Sequence, residues 1–143
     1  MTHDTQNDYA AFLARLSLGG ILLAHGLLKV LVFSIPGTVG YFASLGLPAI
    51  FAYLTIFGEI VGGAAIIAGL YTRLAALLSL PILVGALWAH AGNGWVFSSE
   101  GGGWEFPLLL AVLAVIVALQ GSGAFAFRKL TVLDGFLPRA LHA

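Results

Sequence analysis

Phe57-Gly58-Glu59-Ile60-Val61-Gly62-Gly63 is the stretch that decides how this chain is read. It lies inside an apolar run from Ala49 to Leu70, and Glu59 is the only charge in that run. An ionised carboxylate in the middle of a lipid-spanning helix is unfavourable unless it is paired, protonated or wet. Glycines on either side of it allow a second helix to come close. The residue that Glu59 faces is therefore the first question the sequence poses.

Composition names the solvent. Of the 143 residues, 60% are hydrophobic and 8% are charged, and the mean hydropathy is +1.03. A soluble domain carries about 25% charged residues, so this chain lacks the polar groups to cover a surface in water. The formal net charge is zero and there is no basic block, which argues against a nucleic-acid partner. The absence of cysteine excludes disulfides, thiol exchange, Cys-ligated zinc and iron–sulfur clusters. Before the first apolar run stand Asp4 and Asp8 with no Lys or Arg, unlike the positive start of a signal peptide. That run is expected to be a retained span.

Outward from Glu59, four runs have the length and apolarity of spans: about 10–33, 49–70, 72–91 and 105–121. The expected fold is an all-α integral membrane four-helix bundle over 1–123, with an interfacial, amphipathic tail over 124–143. A tight turn at Tyr71-Thr72-Arg73 makes spans two and three antiparallel neighbours. The Pro- and Gly-rich connection Ser34 to Pro48 has room for a short interfacial helix over Thr38 to Leu45. Arg15, Arg73, Arg128, Lys129 and Arg139 fall on the side of both termini, and Lys29 falls near the other. By the positive-inside rule both termini are expected in the cytoplasm.

The polar residues gather in the outer half of this bundle. At 1.5 Å per residue, His25 lies about 12 Å and Glu59 about 15 Å from the outer ends of their spans. Lys29 is one turn beyond His25 on the same face. His90 and Glu105 sit at the outer ends of spans three and four. Arg15, Gly19, Leu22, His25, Gly26 and Lys29 share one stripe, and Thr55, Glu59, Gly62, Gly63 and Ile66 form the stripe expected to face it. Plainer roles stand beside this convergence. Arg15 and Lys29 can snorkel to headgroups, Glu105 can complement a helix dipole, and Glu59 can be half of a structural ion pair. Two His and two Glu on four helices (His25, Glu59, His90 and Glu105) also offer an alternative metal set, although the Glu-x-x-His spacing of di-iron bundles is absent.

In combination, Arg15-x-x-x-Gly19, His25-Gly26-x-x-Lys29, Leu45-Gly46-Leu47-Pro48, Gly58-Glu59-x-x-Gly62-Gly63, Gly69-Leu70-Tyr71-Thr72-Arg73, His90 and Glu105 resemble the DoxX family of small four-span membrane proteins. The resemblance runs from about Leu13 to Gly123, and the family's usual Gly-Pro-Gly ending is here Gly121-Ser122-Gly123. It implies a bacterial inner-membrane protein related to the membrane subunit of thiosulfate:quinone oxidoreductase. On that reading His25, Lys29 and Glu59 are the catalytic, proton-handling residues, His90, Glu105 and Arg15 contact substrate, and the cofactor is a quinone. Electrons then come from the substrate or from a soluble redox partner. A solute-binding protein or transporter component, which would need to oligomerise, and a scaffold for soluble redox proteins are the competing readings.

Overall fold

The computed structural model describes residues 2–127 and 135–141, and among these every regular element is helical. Helix α1 spans His3–Leu31. It starts seven residues before the apolar run, because the Thr2 side chain accepts a hydrogen bond from the Thr5 N–H and Asp4 lies in the positive first turn. Helix α2, Ile35–Ser44, is the short connecting helix, capped by Ser34 and carrying proline in its first turn. The second span is one helical rod in three pieces: α3 (Ala49–Phe57), a π turn (Gly58–Gly62) and α4 (Gly63–Ala68). Helices α5 (Thr72–His90) and α6 (Glu105–Gln120) complete the bundle.

Among the described residues three helices are long and apolar enough to cross a membrane, and α6, with 16 residues, is shorter. Large apolar side chains such as Leu13, Leu31, Leu78, Leu109 and Leu119 point outward. Apolar residues on the outside and backbone bonds satisfied within each helix are what a lipid solvent requires. Leu18, Leu22, Ile66, Ala75, Ala76, Leu83, Leu110, Ala114 and Val117 form the packed centre. Beyond α6 the chain returns to α1, where the Ala124 N–H donates to the Asp8 carbonyl, and the Phe127 N–H donates to the Ala68 carbonyl. The expected tail residues Arg128, Lys129 and Asp134 lie outside the described residues.

Helix α1 packs along the π turn and α4. The closest crossing joins Gly19 and Gly63. A Cβ on Gly63 would lie 2.7 Å from the Leu23 nitrogen and 2.9 Å from the Gly19 carbonyl oxygen, so the two backbones themselves are in contact. Gly62, which the 3.6-residue period places on the same stripe, instead has open space beside it. The i→i+5 bonding of the π turn changes the register after Gly58, and Gly63 rather than Gly62 becomes the contact. Gly63→Ala is expected to destabilise the detergent-purified protein by about 1–3 kcal/mol through overpacking. Gly20→Ala, where the added methyl meets nothing, should leave the thermal midpoint unchanged or slightly raised. Equal midpoints for the two variants would contradict this crossing.

Candidate functional site

The π turn places Glu59 against α1. Its carboxylate is 6% exposed and accepts a hydrogen bond at Oε1 from Lys29 Nζ, at 2.8 Å. The lysine reaches it because Gly26, one turn before Lys29, leaves no side chain in the way: a Cβ there would sit 3.0 Å from the Glu59 Cβ and 2.6 Å from the Ile60 side chain. Lys29 is held from the other side, since its own carbonyl accepts from the Thr38 hydroxyl at 3.0 Å, tying α2 to the end of α1. Glu59 Oε2 is buried and has no hydrogen-bond partner among the described residues.

Two cavities border this pair. The larger, of about 680 Å³, is lined by α1, α2, α3 and α5; Phe33, Tyr41, Phe42, Phe51 and Ile82 form much of its apolar wall. The smaller, of about 350 Å³, lies toward α6 and the connection before it, where Phe97, Gly102 and Phe106 line it. His25, Lys29, Glu59, Ile82, Ala86 and His90 line both. The polar cluster thus stands at the junction of an apolar pocket and a smaller chamber.

Both imidazoles are oriented in the same way. His25 Nδ1 is 2.9 Å from the Ile21 carbonyl oxygen, and His90 Nδ1 is 2.7 Å from that of Ala86. A carbonyl only accepts, so each Nδ1 carries the hydrogen and donates it one turn back along its own helix. Glu59 is therefore paired with Lys29 and not with His25.

The other two expected site residues lie elsewhere. Arg15 is fully buried near the opposite end of the bundle. Its guanidinium donates to the carbonyls of Ile66 and Ile67 at the end of α4, and to those of Ala124 and Phe125 beyond α6, the last two at 2.8 and 2.9 Å. The Phe12 ring lies 5.1 Å from its Cζ. Instead of snorkelling, Arg15 ties carbonyls at the end of α4 to carbonyls of the segment after α6. Glu105 opens α6, and its Oε1 accepts from the Phe97 N–H at 2.8 Å, fastening the connection between α5 and α6. Among the described residues no three His, Asp or Glu side chains gather as a metal-holding group.

Residues 10–92 match the DoxX family model. The chain belongs to the DoxX family. The matched segment contains Lys29, Glu59 and both cavity histidines and ends before Glu105. A Bacillus subtilis protein named "Putative oxidoreductase CatD" is 32% identical over 115 residues, covering 80% of this chain and 81% of that protein. A Haemophilus influenzae protein without an assigned role is 36% identical over 120 residues, covering 82% and 87%. No solved structure matches the chain.

The π turn is the feature of this site that periodicity does not reveal; the two glycines that bracket it, Gly58 and Gly62, are its only signal in the sequence. The ion pair predicts a coupled response. Lys29→Met alone strands a buried carboxylate and is expected to lower stability by about 3 kcal/mol. Adding Glu59→Gln should recover more than half of that loss in chemical unfolding, and additive losses would mean the two side chains are not coupled. Arg15→Lys cannot bridge both pairs of carbonyls. It is expected to cost about 2 kcal/mol and to open the 121–127 segment to limited proteolysis, with protection unchanged if the tie contributes nothing.

Proposed function

We propose that this DoxX protein is the membrane subunit of a quinone-linked oxidoreductase of the bacterial inner membrane, with its reaction centred on Glu59 and Lys29. The observation that carries the reading is the position of their ion pair, at the junction of two cavities with two oriented histidines beside it. The name of the Bacillus subtilis relative points to the same class of chemistry.

The fit to a quinone rests on shape and on the donor set. A volume of about 680 Å³ is in the usual range for a ligand pocket. Apolar and aromatic walls suit a ring with a hydrocarbon tail, and Lys29 brings N–H donors to a carbonyl. A quinone takes up two electrons and two protons when it is reduced. Glu59 and Lys29 share one hydrogen bond, along which a proton can pass from Nζ to Oε1 or back. Each histidine keeps Nε2 available as a further proton acceptor or donor. The chain has no cysteine, and a soluble partner or the oxidised substrate is the proposed source of electrons.

Glu59→Gln keeps the shape and a hydrogen bond but removes the titrating group. Quinone reduction by membranes containing this variant is expected to fall at least ~100-fold, the ordinary contribution of general acid–base catalysis. Full activity in Glu59→Gln, at equal protein level, would remove Glu59 from the reaction.

A further inference from the structure

We propose that the junction site binds the dihydroxy, or quinol, form of its aromatic ligand in preference to the dione. This rests on the quinone-linked reading and adds to it a redox form. Both histidines spend their Nδ1 hydrogens on their own helices, so Nε2, an acceptor in the imidazole form, is the ring nitrogen left for a ligand. For His90 that edge of the ring adjoins Gly102, in the wall of the smaller cavity. Glu59 holds a second oxygen that no described residue satisfies. On the donor side stands Lys29, with one of its hydrogens already given to Glu59 Oε1. Among the residues that line both cavities, the acceptors, two Nε2 atoms and the Glu59 carboxylate, therefore outnumber the one partly used donor, Lys29; the wall of the larger cavity adds Tyr41, Thr55 and Trp88, which can also donate.

A dione presents two carbonyl oxygens, which only accept. Against Nε2 or a carboxylate oxygen they find no hydrogen and lose their water. A quinol presents two O–H groups that can donate to these atoms. A site built to accept from a hydroxyl discriminates strongly against the analogue that lacks it, because its own buried polar atoms are otherwise left unpaired. In the overall balance the dione, two electrons and two protons give the quinol. By linkage, tighter binding of the quinol raises the potential of the bound couple, so that reduction of quinone at the site is favoured. A tenfold preference corresponds to about 30 mV for a two-electron couple.

The test is equilibrium binding to the purified full chain in detergent, under argon at pH 8. Three probes share one short alkyl chain and ring substitution: the hydroquinone, the benzoquinone and the hydroquinone dimethyl ether. The chain has no cysteine for the benzoquinone to alkylate. The hydroquinone is expected to bind at least tenfold more tightly than either of the others. In the double variant His25→Phe, His90→Phe that ratio should fall toward one, while the affinity for the dimethyl ether, which reports an intact pocket, stays within a few-fold. Equal binding of hydroquinone and benzoquinone, or tighter binding of the dione, overturns the preference and leaves the quinone-linked reading in place. Failure of all three probes to bind overturns both.

Discussion

The arrangement of the bundle depends on a single buried ion pair. A lone charge near the centre of a bilayer is unfavourable by on the order of 3 kcal/mol, and Glu59 lies in the middle of the second span, with Lys29 in the last turn of α1. Their pairing requires α1 and the second span to lie side by side in one register. The glycines make that register attainable. Gly19 and Gly63 let the backbones touch, and Gly26 clears the path between lysine and carboxylate. The π turn carries Glu59, and after it Gly63, not Gly62, meets α1.

The opposite end of the bundle uses charge differently. Arg15 donates to backbone carbonyls on two other segments of the chain. A guanidinium has enough donors in a fixed plane to serve several carbonyls at once, and the ends of helices are where carbonyls lack partners. One side chain thus joins α1, the end of α4 and the segment after α6. The molecule has a polar lock at each end; Arg15 is fully buried, and the Lys29–Glu59 pair borders both cavities.

Much of this was legible in the residues. Four apolar runs with a single glutamate in the second predict an all-helical membrane bundle, and the helices fall within a few residues of those runs apart from the early start of α1. The small connecting helix was readable from Pro36 and the glycines around it, although it begins at Ile35 and not Thr38. The special standing of Glu59 was readable because lipid offers an isolated charge so little solvation. Arg15 and Glu105 were harder: a basic or acidic residue near a span end has the same local pattern whether it snorkels, caps a helix or meets a ligand.

What the sequence alone determined is the solvent, the helical class and the list of polar side chains that must find partners in a medium without water. Composition and periodicity suffice for these because they follow from transfer free energy and helical geometry. Which partner each side chain takes was decided only by tertiary structure. The choice of Lys29 over His25 for Glu59, and of carbonyls over headgroups for Arg15, depends on distances between helices distant in sequence. Those distances are set by glycine contacts and by one π turn, whose change of register a 3.6-residue period does not contain.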